Sequence, residues 1–494
     1  MRRLGIAVLL LAIASSAFAA IPAAELAERR AKLAKELGAN AIFIALSAEP
    51  ATRNADVEWP FRQEDDLLYL TGVNAPNTRL VLIPGESALS EAVFVRDRNP
   101  SAEVWTGKIP SSDEVTASTG AKNVYSIRQF DMFLAAAFLG RPWGPSEGEW
   151  MYRSASMPAT AERFRAGKTE VWLLLRRRPR PGDELTPELK VAEELRKRFP
   201  EIAIRDASPI LTRLRQIKSD AEIATIRRAV EITVEAQKAS MRRALTATRE
   251  NELQATIEAI FRERGACCWS FPSIVASGSN ATVLHYESND AAIPRDGLVL
   301  TDLGAEVDGY AADVTRTYPA DGAFSDAQRA IHRAVYRAQS ESIEMMRPGR
   351  ALGEINAHVL KVLGEELLRL GLVTKNDRDQ VKMYVLHNFS HHVGLQVHDT
   401  AMYAEPLARS MVVVSEPGVY VRKNDVLANP AYTKLSADDQ KEIAAMLEKY
   451  DGIGVRIEDT LVITDRGATN LSAGAPRSDA EIEAFMAKVA SDGP

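Results

Sequence analysis

The stretch that decides the architecture is Leu298-Val299-Leu300-Thr301-Asp302, followed across Asp308-Gly309 by Tyr310-Ala311-Ala312-Asp313-Val314. Both flanks read as apolar strands, and Asp-Gly is a dipeptide suited to a two-residue hairpin turn because it tolerates positive φ. With that turn, Val307 faces Tyr310, and counting outward sets Gly304 opposite Asp313. Side chains alternate along a strand, so Asp302 shares the face of Gly304 and hence of Asp313. The two carboxylates then stand as diagonal neighbours, roughly 7–8 Å apart at the backbone, close enough for their oxygens to converge. Two acids on a mostly apolar face are costly without a counter-charge, which a metal ion supplies. Taken alone, an acid pair on an exposed sheet edge reads equally well.

Downstream lies a second concentration of chemistry. His387, His391, His392 and His398 are four of only seven histidines in the chain. Imidazole is a common metal ligand and the side chain best suited to proton transfer near neutral pH. Any one of the four also reads as an ordinary core or surface histidine, and His392, pointing away from His391 in a strand, is read that way. Glu416 ends the apolar run Met411-Val412-Val413-Val414-Ser415, immediately before Pro417-Gly418. In Gly454-Val455-Arg456-Ile457-Glu458-Asp459, alternation sets Arg456 and Glu458 on one face and Val455 and Ile457 on the other. Buried acids at strand ends suit a hard cation, and equally a salt-bridged structural role.

At 494 residues the chain is too long for one ordinary core and is read as two domains. With 46% hydrophobic and 26% charged residues it has the composition of a soluble globular protein. A net charge of -6 argues against a nucleic-acid partner, which needs a basic face. The local run Arg176-Arg177-Arg178-Pro179-Arg180 reads as a solvated loop. Arg2 and Arg3, the apolar Leu4 to Ala14 and the small-x-small triplet Ala17-Phe18-Ala19 have the form of a cleavable signal peptide. The apolar run is shorter than the roughly 20 residues a bilayer span needs. The mature protein is therefore expected in the periplasm or outside the cell, off the membrane once the signal is cleaved. Cys267 and Cys268 are adjacent, where a disulfide is badly strained, and with Trp269 and Phe271 beside them they are expected to be buried.

The amino-terminal half reads as a helix over Pro22 to Leu37 and strands at Ala41 to Leu46, Leu80 to Ile83, Ala92 to Val95 and Val171 to Leu175, all in one sheet of an α/β domain. Ser219-Asp220-Ala221-Glu222 is a capping box opening a helix whose apolar stripe includes Ile223, Ile226, Ala229 and Val230. A new domain begins there. From it, helices alternate with strands to about residue 370, and strands dominate 380–465.

The order Asp302, Asp313, His391, Glu416-Pro417-Gly418 and Val455-Arg456-Ile457-Glu458-Asp459 resembles the pita-bread metallopeptidases, most closely the branch of Xaa-Pro aminopeptidase and prolidase. The resemblance covers nearly all of 219–475. Arg53-Asn54-Ala55-Asp56, Pro60-Phe61-Arg62-Gln63 and Tyr69-Leu70-Thr71-Gly72 resemble the accessory domain of the aminopeptidases in particular. The resemblance implies a signal peptide followed by two domains: residues 1–19, a creatinase-like α/β accessory domain over 20–215, and a pita-bread catalytic domain over 216–494 with a curved antiparallel sheet flanked by helices.

It further implies two divalent metal ions, one chelated by Asp302, both bridged by Asp313 and Glu458, the other held by His391 and Glu416. A hydroxide bridging the two metals would cleave the bond between an amino-terminal residue and a penultimate proline, with Glu416 shuttling its proton. His285 and His398 would contact substrate and stabilise the tetrahedral intermediate. His387 would line the pocket and Arg456 order the bridging acids. Oxygen-rich ligation with one imidazole suits manganese best, with cobalt, zinc or iron as alternatives. The partners implied are proline-second peptides and further copies of the chain, as a homodimer or homotetramer. Departures are the lone Arg409 between His398 and Glu416, Asn388 where glycine is usual, and an inserted segment, Arg422 to Lys449, positioned to narrow the mouth of the site. The rivals are an Xaa-Pro dipeptidase (prolidase) and a catalytically inactive pita-bread binding module.

Overall fold

Ala41–Leu46 (β1) is buried at every position, as expected of a strand covered on both faces. The computed structural model describes residues 21–492 except 88, 140–142, 144–156, 177–179 and 181. The signal segment expected at 1–19, and the middle of the basic run at 177–179, lie outside the described residues. The chain divides into two compact units at Ser208–Pro209, seven residues before the boundary drawn from the sequence.

In the first unit, β1 lies inside a six-stranded mixed sheet. It pairs antiparallel with β4 (Arg79–Leu82) and parallel with β7 (Glu170–Leu173). Beyond β4 come β5 (Glu91–Val95) and β6 (Val124–Ser126), and beyond β7 comes β8 (Ala203–Asp206). The four strands anticipated from apolar runs are all here, each within two residues of its expected ends. One core of this unit is aromatic: Phe94 meets Phe130 and Phe133 edge-on, and Phe133 in turn meets Trp143. The Arg53–Asp56 motif forms the turn of a short exposed hairpin, β2 (Thr52–Asn54) and β3 (Val57–Glu58).

The second unit carries the hairpin from which the sequence reading began. Leu298–Leu303 (β11) pairs antiparallel with Val314–Pro319 (β14), with Leu303 opposite Val314. Ala305–Val307 (β12) pairs with Tyr310–Ala311 (β13), with Val307 opposite Tyr310. Both ladders share one register, and Ala312 N–H reaches the Ala305 carbonyl at 3.1 Å between them. Asp308 and Gly309 have φ of 49° and 83°, the positive pair that closes a two-residue turn.

Gly304 sits where one ladder gives way to the next. A Cβ there would stand 2.1 Å from both the Ala312 carbonyl oxygen and Ser270 Oγ, so no larger residue fits. Flanking these strands are Ile274–Ser277 (β10) against β11 and Cys268–Trp269 (β9) at the edge beside β12. The remaining strands are Val412–Ser415 (β15), Gly418–Tyr420 (β16), Gly454–Arg456 (β17), Asp459–Ile463 (β18) and Ala468–Asn470 (β19). They form two further antiparallel ladders, β15-β18-β19 and β16-β17. The antiparallel sheet is thus segmented, and three of the gaps between named strands hold Asp313, Glu416 and Glu458.

The helix Asp220–Ala244 holds this sheet from behind. Its capping box forms as expected, with Ser219 Oγ accepting from Glu222 N–H at 3.1 Å and Glu222 Oε2 accepting from Ser219 N–H at 2.9 Å. Gln237, fully buried on this helix, donates to the carbonyls of Thr301 at 3.1 Å and Val314 at 2.7 Å and accepts from Thr301 Oγ1 at 2.7 Å. One amide therefore ties the two strands that precede Asp302 and follow Asp313, each such bond contributing about 1 kcal/mol net.

The adjacent cysteines are not buried. Cys267 is exposed and Cys268 partly so, because β9 is an edge strand with one side open. The inserted segment folds as the helices Lys423–Ala428, Pro430–Thr433 and Ala437–Tyr450. Val426, Tyr432, Ile443 and Leu447 of this segment join the main core of the unit, as does Tyr450 just after it, and none of the segment lines the cleft. Among the described residues, no helix is long and apolar enough to cross a membrane.

Candidate metal centre

Nine residues singled out from the sequence, His285, Asp302, Asp313, His387, His391, His398, Glu416, Arg456 and Glu458, all line one cleft of about 520 Å³. Phe271, Leu284, Val397 and Tyr403 also line it, and none of them was assigned to the site from the sequence. His392 points elsewhere: it is buried, packs edge-on against the Tyr403 ring, and does not line the cleft.

Asp302 projects from β11, and Asp313 from the break between β13 and β14. Glu458 comes from the break between β17 and β18, and Glu416 from the end of β15. His391 reaches the same point from the segment bridged to β15, where its carbonyl accepts from Val414 N–H at 3.0 Å. His391 Nε2 stands 3.4 Å from Asp313 Oδ2, 3.6 Å from Glu416 Oε1 and 3.9 Å from Glu458 Oε1. One ligand atom from each of Asp313, His391 and Glu458 falls within 4.8 Å of the others. Four acids and an imidazole that are far apart in the chain therefore meet, three of the acids around one ring nitrogen.

The electrostatics of that meeting are unbalanced. Burial, then the charge of Asp302, holds the Asp313 carboxyl well above the usual range. Burial, then the charge of Asp313, does the same to Glu458. Glu416 is pushed up to about 8 by burial and by Glu458. Asp302 Oδ1 and Asp313 Oδ1 are buried without a hydrogen-bond partner. Orphaned carboxylate oxygens and mutually repelling acids are what a divalent cation relieves, and oxygen donors with one imidazole are chemically suited to it.

Behind the acids the hydrogen bonding is complete. Arg456, buried, donates to Asp302 Oδ2 at 2.7 Å, to Thr315 Oγ1 at 3.2 Å and to Tyr420 Oη at 2.8 Å. Thr315 Oγ1 in turn donates to Glu458 Oε2 at 2.8 Å. The Tyr420 hydroxyl lies 2.7 Å from His387 Nε2. The Asn388 carbonyl can only accept, so His387 Nδ1–H donates to it at 2.7 Å, and the Nε2 of the neutral ring accepts from the Tyr420 hydroxyl. This tautomer agrees with a ring kept neutral by burial and by Arg456, its pKa pushed down to about 4. His398 is likewise lowered to about 4 by burial and by His391, whose ring it meets edge-on at 4.3 Å.

Tyr420 and Thr315 are the residues that sequence reasoning missed. A signal for Tyr420 existed, because Glu416, Gly418 and Tyr420 alternate along one face. A Cβ at Gly418 would lie 2.5 Å from the Tyr420 hydroxyl, so the glycine leaves room for that ring.

Comparison with known proteins agrees with this geometry. Residues 224–465 match the model of metallopeptidase family M24, and residues 26–142 match the aminopeptidase P N-terminal domain. The chain is 32% identical to the Xaa-Pro aminopeptidase of Haemophilus influenzae over 95% of its own length and 98% of that protein. It belongs to metallopeptidase family M24, in the Xaa-Pro aminopeptidase branch. The Escherichia coli Xaa-Pro aminopeptidase is 31% identical over 94% of this chain and 97% of its own. Among solved structures, Pseudomonas aeruginosa aminopeptidase superposes with a TM-score of 0.79 at 32% identity, covering 95% of this chain and 99% of that one. Escherichia coli aminopeptidase P with the inhibitor Pro-Leu does so with a TM-score of 0.79 at 30% identity, again over 95% and 99%. As a member of M24, the metallopeptidase is a hydrolase that depends on divalent metal ions, and its fold is the two-domain α/β arrangement with a pita-bread unit.

Proposed function

We propose that this M24 metallopeptidase is an exported Xaa-Pro aminopeptidase that uses two manganese ions, held by Asp302, Asp313, His391, Glu416 and Glu458, to remove the first residue from peptides with proline in second place. The observation that carries the reading is the convergence of Asp313, Glu416 and Glu458 on His391, with Asp302 in the same cleft and the charge of the acids uncompensated. Bound there, the ions would acidify a water molecule and polarise the scissile carbonyl.

The protein's own groups supply the rest. Glu416, at the cleft wall with its oxygens 3.6 Å from His391 Nε2 and 3.5 Å from His387 Nδ1, takes the water proton on its carboxylate and returns it to the leaving prolyl nitrogen. His398 and His285 donate to the oxygen on which charge develops. Arg456 and Thr315 hold Asp302 and Glu458 in place, so the acids do not turn away from one another.

The aminopeptidase reading is favoured over the dipeptidase by charge. Arg456 is the only lysine or arginine among the described residues lining the cleft, and it is committed to Asp302 and Tyr420. Arg409 does not line the cleft and pairs with Asp465 at 3.5 Å. A dipeptide carboxylate thus meets no uncommitted lysine or arginine among the described residues of the cleft, whereas a longer peptide does not need one. The pattern of Arg2, Arg3 and Ala17-Phe18-Ala19 supports export, and the family resemblance supports a homodimer or homotetramer.

The test is hydrolysis of Ala-Pro-Ala, Ala-Pro and Ala-Ala-Ala by protein stripped of metal and reloaded with manganese. Cleavage of the first alone, lost on chelation and restored by manganese, is expected. Cleavage of Ala-Pro alone would make the protein a dipeptidase, and metal-loaded protein that cleaves nothing would be a binding module.

A further inference from the structure

The chain's only two cysteines meet a buried acid on the open edge of the second unit. Cys268 in β9 pairs across the ladder with Glu306 in β12, and Cys267 N–H donates to the Glu306 carbonyl at 3.1 Å. Neighbouring side chains of a regular strand point to opposite faces, but Cys267 precedes the strand, and both thiols turn to one carboxylate. Cys267 Sγ lies 3.4 Å and Cys268 Sγ 3.8 Å from the same oxygen, Glu306 Oε1. The two sulfurs and a carboxylate oxygen all fall within 4.8 Å of one another. Glu306 is buried while Cys267 is exposed, so the cluster opens outward like a socket with its acid at the base.

We infer that Cys267, Cys268 and Glu306 form a second metal site, separate from the catalytic cleft, that takes a thiophilic divalent ion of the zinc and cadmium class. Two sulfurs and one oxygen are three of the four tetrahedral positions such an ion prefers, with water for the fourth. Binding forms two metal–sulfur bonds and releases the two thiol protons to solvent. Softness sets it apart from the oxygen-rich cleft, since thiolates select against a hard ion such as manganese.

The test titrates cadmium into protein already carrying its catalytic metal and reads the ultraviolet thiolate-to-cadmium charge-transfer band. No cysteine lines the cleft, so the band reports this cluster alone. Expected are saturation at one equivalent per chain, loss of the band in Cys267→Ser and in Cys268→Ser, and binding weakened roughly tenfold or more in Glu306→Gln. In the unmutated protein, bound cadmium should also protect both cysteines from iodoacetamide, read by mass, which does not depend on any variant folding. A missing band, one ion shared by two chains, a Glu306→Gln midpoint equal to wild type, or alkylation unaffected by cadmium would each overturn the site.

Discussion

Replacing Gly304 by alanine probes the link between the hairpin and the metal centre most directly. The new Cβ would stand 2.1 Å from the Ala312 carbonyl oxygen, and real Cβ atoms do not approach closer than 3.0 Å, so the two must part by about 0.9 Å. The obstruction is backbone and cannot rotate away. The Ala312 carbonyl belongs to the peptide unit that leads into Asp313, so the displacement passes to a proposed bridging acid. Overpacking of this kind costs about 1–3 kcal/mol. Loss of the 2.9 Å bond from Ser270 Oγ to that carbonyl adds about 1 kcal/mol. A misplacement near 1 Å lowers the rate on the order of 100-fold. Urea denaturation, metal content after dialysis, and kcat on Ala-Pro-Ala at saturating metal would measure the three effects. Gly353→Ala is the control, since a Cβ there meets nothing within 4 Å, and it should leave activity intact and add up to about 1 kcal/mol of stability. A Gly304→Ala protein with wild-type metal content and kcat within a factor of about two would refute the reasoning.

Glu416→Gln keeps the shape of the acid without its proton chemistry, and kcat should fall about 10²–10⁴-fold with a smaller change in KM; steady-state kinetics on the reloaded variant would show it. For metal-free protein the pH dependence has a definite sign. The Glu416 carboxyl rises from roughly 4.3 in the unfolded chain to about 8 folded, so its share of stability is full below the former and lost as pH climbs through the latter. The upward shifts of Asp313 and Glu458 act in the same direction. Melting temperatures of chelated and metal-loaded protein should therefore differ more at pH 8 than at pH 5, and an equal gap would contradict the account of the site. Asp399 is buried between Arg215 Nη2 at 2.5 Å and Lys218 Nζ at 2.7 Å, which hold its pKa near 2. Asp399→Asn should cost about 3–5 kcal/mol in a denaturant melt. In the unmutated protein the same triad gives stability that is present above roughly pH 3.9 and lost as pH falls through about 2.

The hairpin was legible because its information is local. Asp308-Gly309 sets a turn, the turn sets a register, and period-two alternation carries that register unbroken from Val307 to Asp302. The same alternation placed Arg456 beside Glu458. What the sequence did not disclose is contact between distant segments. Nothing near Thr315 says that its hydroxyl will bridge Arg456 and Glu458, and the alternation that sets Tyr420 on the face of Gly418 does not say that its hydroxyl will meet Arg456 and His387. The cysteines were misread because apolar neighbours suggest burial, whereas exposure depends on whether a strand lies at an edge, a property of the assembled sheet. The inserted helices pack into the core and do not line the cleft, because position between two site residues in the chain does not fix position in space.

Arg456, Thr315 and Tyr420 form one continuous line of hydrogen bonds behind the acids, and Gln237 ties the strand that carries Asp302 to the one that follows Asp313. Asp302 is thereby yoked directly to a single guanidinium, and Glu458 and His387 are yoked to it through one hydroxyl each. Damage at that one side chain would therefore be felt on several walls of the cleft together.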